Sequence, residues 1–174
     1  MEDGIKDEGR RMKADESRRS NGFRILGVDP GLNITGYAVI ERRVGRPALV
    51  EAGMIRGRSR GDLPARLAEV HEGIRDVIAS LQPEVLAIEE LYSHYERPQT
   101  AILMGHARGV ICLAATQAGL PVLSYPSTQV KRMLTGNGRA PKTQMQQAIC
   151  HEFGLTIPPE PPDVADAMAI ALCH

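Results

Sequence analysis

Phe23-Arg24-Ile25-Leu26-Gly27-Val28-Asp29-Pro30-Gly31 marks the point where order begins in this chain. The apolar run reads as a strand entering a core, and Pro30-Gly31 turns it. Asp29 closes that strand. A carboxylate is seldom set at the end of such a run unless it is paired or holds a cation. The plainer alternative is a turn aspartate preceding Pro-Gly.

Downstream, Ile34 to Glu41 reads as a second strand and Ala48 to Ile55 as a third. Their tight connections predict an antiparallel meander. The period then changes. Leu63, Leu67, Val70, Ile74, Val77 and Leu81 recur at spacings of three and four, which predicts an amphipathic helix with Asp62 as its N-cap. After Pro83, Val85 to Glu90 is apolar on both alternating faces, as a buried central strand is. Residues 98 to 118 read as a helix with several apolar faces. Gly105 and Gly109 would let another backbone approach it, either within the core or across a subunit interface. Pro121 to Tyr125 is a short fifth strand. Helices are expected from Ser127 to Leu134, from Lys142 to Phe153 and from Asp163 to Leu172. Three antiparallel strands followed by alternating helices and strands is the order of a ribonuclease-H-like α/β domain. Its five-stranded mixed sheet ends in two parallel strands and is flanked by helices.

Upstream, residues 1–22 are charged, balanced in sign and nearly free of large apolar side chains. Such a segment does not repay its ordering entropy and is expected to be a disordered tail. Met12 is a second candidate start. Residues 23–174 then form one domain, a size that can bury its own core. Lys and Arg number 21, as do Asp and Glu, so net charge is zero and only its distribution is informative. No run is long and apolar enough to span a membrane, and no signal peptide precedes the first strand. The three cysteines, Cys112, Cys150 and Cys173, form no CxxC pair. They argue for reduced thiols in a cytoplasmic protein and against zinc.

The acids form the pattern that carries chemistry. Glu89 and Glu90 end the central strand on opposite faces, so one of them at most joins a site with Asp29. Asp163 and Asp166, three apart at the start of the last helix, share a face. Compensation of the helix dipole explains Asp163 well and Asp166 less well. Together these acids would suit hard divalent cations, Mg²⁺ or in its place Mn²⁺. Two such ions stabilise the attacking and leaving oxygens of a phosphoryl displacement. A second pattern is basic. From Arg97 through His151 there is no Asp or Glu, whereas Arg97, Arg108, Lys131, Arg132, Arg139 and Lys142 all fall there. That distribution suits a phosphate backbone. Lys131, Arg139 and Lys142 flank the loop Gly136-Asn137-Gly138. Tyr92 and Tyr95 could stack on unpaired bases.

Five segments in register resemble the RuvC family of crossover-junction endonucleases. They are Leu26 to Gly31 with Thr35-Gly36-Tyr37, Ala87-Ile88-Glu89-Glu90, Gly105 to Gly109, Tyr125-Pro126 through Lys142, and Asp163 to Ala169. The resemblance implies a Holliday-junction resolvase that acts in recombination and repair. It makes Asp29, Glu89, Asp163 and Asp166 the catalytic and metal-binding acids, with two Mg²⁺ per site and 5′-phosphate products. It implies that Lys131, Lys142 and Arg139 contact DNA and that Tyr92 stands where relatives often have a stacking Phe. It also implies a homodimer with the Gly105–Gly109 helix near its interface, and RuvA and RuvB as partners. Ser93 to Pro98 departs from the family loop. The chain also stops at His174, directly after the last helix, which suggests truncation of a tail that many relatives carry. Rival readings are a ribonuclease-H-like nuclease for another DNA or RNA structure, a non-catalytic DNA-binding module and, more remotely, an actin-like nucleotide-binding fold.

Overall fold

The computed structural model describes residues 22–57, 61–91 and 98–174. The expected tail, apart from Gly22, lies outside the described residues, as do Tyr92 and Tyr95. Five strands form one sheet: β1 (Arg24–Asp29), β2 (Ile34–Glu41), β3 (Ala48–Arg56), β4 (Val85–Glu89) and β5 (Val122–Tyr125). Their order across the sheet is β3-β2-β1-β4-β5. The β1–β2 and β2–β3 pairs are antiparallel, and the β1–β4 and β4–β5 pairs are parallel. This is the expected mixed topology. Among the described residues five helices flank it: α1 (Leu63–Leu81), α2 (Pro98–Gln117), α3 (Ser127–Thr135), α4 (Lys142–Phe153) and α5 (Pro162–Cys173).

Strand alternation divides the core in two. Leu26, Val28, Val39, Leu86 and Ile88 point to one face, where α1 and α2 cover them. Ile25, Ala38, Ile40, Val85 and Ala87 point to the other, against α3, α4 and α5. Leu26, Val28, Leu86 and Ile88 have no exposed surface. Each such side chain contributes roughly 1.5–3 kcal/mol by leaving water. The central strands are therefore fixed by apolar packing on both sides, and their C-terminal ends form a rigid platform.

Local signals set the helix ends. Asp62 caps α1, its side chain accepting from the Ala65 amide at 3.0 Å. The helix stops at Gln82, which takes the left-handed conformation at φ 50°. The last helix begins one residue earlier than expected, at Pro162, and no side chain caps it. Proline suits that first-turn position because its missing N–H would have no partner there.

Two glycines bring α5 onto the sheet. A Cβ added at Gly27 would lie 2.2 Å from the Ala167 carbonyl oxygen and 2.7 Å from the Ala171 methyl. At Gly36 it would lie 2.0 Å from the Asp163 carbonyl oxygen. No side chain fits at either position, so the helix backbone rests directly on β1 and β2. Of the two readings open for α2, the structure argues against a core helix. Ala107, Ile111, Ala114 and Ala115 are buried, but Ile102 and Leu113 remain more than half exposed. A Cβ added at Gly105 or Gly109 would meet nothing within 4 Å. Thus α2 is not a core helix buried all round, and no backbone among the described residues approaches these glycines.

Candidate active site

Register places the first two acids. Ile25 to Val28 of β1 pair in order with Val85 to Ile88 of β4. The next residue of each strand is Asp29 on β1 and Glu89 on β4. Both follow the alternation of Ile25 and Val85, toward the face that α5 covers. Of the two acids at this strand end, Glu89 is the one that shares a face with Asp29. Glu90 lies beyond the strand, where its amide donates to the Tyr125 carbonyl at 2.9 Å.

The turn after β1 is held tightly. Thr35, fully buried, donates its hydroxyl to the Gly31 carbonyl at 2.6 Å. A Cβ added at Gly31 would lie 2.0 Å from the Ile34 carbonyl oxygen. This turn aims Asp29 at the mouth of the sheet. The last helix starts above it and brings Asp163 and Asp166 with it.

Electrostatics report the convergence. Burial, then the charges of Glu89, Asp166 and Asp163, push the Asp29 carboxyl up to about 8, while Lys142 pulls it down. The Glu89 carboxyl is also raised, first by burial and then by Asp166, with Lys131 and Lys142 opposing. Asp29 is thus the group that senses all three other acids. Lys142 Nζ lies 3.2 Å from Asp166 Oδ2. One cleft, of about 280 Å³, is lined by Glu89, Lys131, Lys142 and Asp166. A second is lined by Asp29, Asn33, Arg66, Thr100 and Asp163. Arg139 lines neither. It is exposed in the turn after α3, where its amide donates to Asn137 Oδ1 at 3.0 Å.

The donors fit a hard divalent cation in kind. All four are carboxylates, hard oxygen donors whose mutual repulsion a bound cation would relieve. The side chains are nevertheless spread across two clefts. Among the described residues no three Asp, Glu, His or Cys side chains are gathered closely enough to enclose an ion as they stand.

Residues 25–174 match the sequence profile of the family described as crossover junction endodeoxyribonuclease RuvC. The chain belongs to the RuvC family. It is 59% identical over 149 residues to the RuvC of Rhodopirellula baltica, a match covering 86% of this chain and 84% of that one. It is similar in structure to Thermus thermophilus RuvC, with a TM-score of 0.79 at 31% identity, covering 87% of this chain and 93% of the other. The T. thermophilus RuvC structure in complex with a Holliday junction substrate gives a TM-score of 0.81 at 30% identity, covering 87% and 92%. The ribonuclease-H-like architecture expected from the element order is the one that this chain shares with those RuvC structures.

Sequence reasoning overlooked several residues that shape this RuvC-family site. Gly27 and Gly36 let α5 approach, and a glycine inside an apolar strand was the available signal. Arg108, read only as part of a basic stretch, reaches from α2 to the end of β4. Its Nε donates to the Glu89 carbonyl at 3.2 Å and its Nη2 to Ser124 Oγ at 2.5 Å. The guanidinium thus ties the peptide that carries Glu89 to β5.

Proposed function

We propose that this chain is a structure-selective endonuclease that resolves Holliday junctions by hydrolysing symmetrically placed phosphodiesters, in recombination and DNA repair. One observation carries the reading: acids from β1, β4 and α5 lie close enough at the C-terminal end of the sheet to perturb one another, beside Lys131 and Lys142. Asp29 is the central ligand, with Glu89, Asp163 and Asp166 completing an oxygen donor set for two Mg²⁺, or Mn²⁺ in their place. Bound divalent ions would supply Lewis-acid stabilisation of the attacking and leaving oxygens.

The protein's own groups do the rest. The packed strand ends hold Asp29 and Glu89 in fixed directions. Lys142 neutralises Asp166 when no cation is bound and is free for a phosphate once one is. Lys131 lines the same cleft and attracts the anionic backbone. Cleavage leaves 5′-phosphate and 3′-hydroxyl ends. The chain acts as a homodimer, because a four-way junction with near-twofold symmetry presents two equivalent strands. Arg139 and Tyr92 are assigned to more distant DNA contacts, and branch-migration proteins of the RuvA and RuvB type to its partners. The setting is the cytoplasm; among the described residues no helix is long and apolar enough to cross a membrane.

The test is purified protein with Mg²⁺ on a synthetic four-way junction, beside duplex and RNA–DNA hybrid controls. Paired symmetric nicks on the junction alone are expected, and Asp29→Asn should abolish them while junction binding persists. Preferential cutting of the hybrid would instead favour a nuclease for another nucleic-acid structure.

A further inference from the structure

The second cleft contains a cation that the chemistry above does not use. Arg66 lies in the first turns of α1, whose N-terminus already carries the positive end of the helix dipole. A guanidinium is disfavoured there unless something anionic faces it. The hydrogen bond that holds Arg66 goes to a neutral group. Its Nη2 donates to Asn33 Oδ1, an acceptor without net charge, in the turn that follows Asp29. Its Nε is buried and has no hydrogen-bond partner. A buried donor left unmade is costly, and a guanidinium presents five donors to be satisfied. Yet Arg66 lines the same cleft as Asp29 and Asp163, with Asn33 and Thr100 beside it.

The location is informative. Lys131 and Lys142 come from α3 and α4, whose layer packs on one face of the sheet. Arg66 comes from α1, which packs on the other. The carboxylates lie at the C-terminal edge of the central strands, Asp29 lining the cleft with Arg66 and Glu89 the cleft with Lys131 and Lys142. A nucleic-acid strand crossing that edge would need a cation on each side, or one flank of its backbone would face only acids.

We propose that Arg66, oriented by Asn33, is a second phosphodiester-binding site, on the opposite side of the carboxylates from Lys131 and Lys142. The ligand is a backbone phosphate of the strand being cut, held by a guanidinium in charge-assisted hydrogen bonds. This rests on the endonuclease reading above and adds to it the path of the strand.

The test measures binding of a four-way junction across a range of salt concentrations, using Asp29→Asn as the parent so that nothing is cut. Each phosphate neutralised contributes about 0.9 to the slope of log affinity against log salt. Arg66→Gln in that parent should weaken binding and reduce the slope by about 0.9, and Arg66→Lys should largely restore the slope. Lys131→Gln serves as the reference for the first bank. A residue that only braces the turn would change affinity without changing the slope. An unchanged slope for Arg66→Gln therefore overturns the proposal, while loss of slope in Lys131→Gln leaves the endonuclease reading standing. Failure of the parent to bind the junction at all would overturn that reading instead. Should Arg66→Gln fail to fold, the Arg66→Lys and Asn33→Ala variants decide. An intact slope in Arg66→Lys with a reduced one in Asn33→Ala supports the site, and intact slopes in neither or in both overturn it.

Discussion

Two pairs of glycines behave in opposite ways. Gly27 and Gly36, on neighbouring strands, are covered by the backbone of α5 so closely that no Cβ fits. Gly105 and Gly109, four apart on α2, face open space among the described residues. In the sequence only Gly105 and Gly109 read as places where another backbone could approach; Gly27 and Gly36 passed as part of their strands. In the first pair the approaching backbone belongs to the same chain and brings two acids with it. In the second no such backbone lies among the described residues, and exposed Ile102 and Leu113 share that helix. Close approach inside one chain builds the site, whereas an unfilled groove on α2 is what an association between two chains would use.

The sharpest way to break this contrast is to fill the first pair. Gly27→Ala would push the methyl into the Ala167 carbonyl and the Ala171 side chain. Overpacking of a rigid site costs roughly 3 kcal/mol. Thermal unfolding should shift down markedly, and junction cleavage should fall further than stability alone explains, because Asp163 and Asp166 move away with α5. Near-normal stability and cleavage in that variant would mean that the helix can slide without disturbing the acids.

A second test uses protons rather than methyl groups. The raised carboxyl of Asp29 keeps its proton in the folded protein up to about 8, whereas an unfolded aspartate loses it near 3.8. The folded state therefore binds more protons between those values, and stability falls as pH rises through that window. Glu89 shifts in the same direction. Chelator-treated protein should accordingly lose several kcal/mol between pH 4 and pH 8. Mg²⁺ should restore the loss, with a stabilisation that grows as pH rises. A flat profile without cation would show that Asp29 is neither buried nor crowded by the other acids.

Arg108 gives a smaller effect and belongs to α2. Arg108→Ala removes one of the ties between the Glu89 peptide and β5, leaving the Glu90 amide bond to Tyr125, and keeps all four acids. A positioning role predicts a fall in kcat of about 10- to 100-fold with junction affinity nearly unchanged. Loss of affinity with unchanged kcat would make Arg108 a DNA contact instead.

Much of this was legible because it is local. Strand and helix periods, the Asp62 cap and the tight turns between β1, β2 and β3 each depend on a few neighbouring residues, and together they fix the sheet order. Asp29 and Glu89 stood out because charge at the end of an apolar strand is anomalous, and Asp163 and Asp166 because their spacing puts both on one helix face. The choice between Glu89 and Glu90 was not local, since it depends on which face of the sheet α5 covers. Arg108 was hidden for a related reason: its acceptors are a backbone carbonyl and a serine, groups that leave no pattern in a sequence. Arg66 and Asn33 are separated by a whole hairpin and a loop, so neither drew attention to the other. The basic run from Arg97 to His151 drew notice to one flank of the site and away from this one.

The smallest expected effect returns to the open glycines. Gly105→Ala adds a methyl where nothing lies within 4 Å, on a helix whose intrinsic preference favours alanine by about 1 kcal/mol. For an isolated chain the substitution should stabilise by that amount. If a second copy packs its backbone there, the same methyl should obstruct the contact. The two effects separate with protein concentration, because association stabilises the folded state by mass action. Dilute Gly105→Ala should therefore unfold at a higher temperature than the parent, and the order should reverse as concentration rises. A gain that persists at every concentration would place the copy-to-copy contact elsewhere, and the resemblance between the two glycine pairs would then end at their spacing from other backbones.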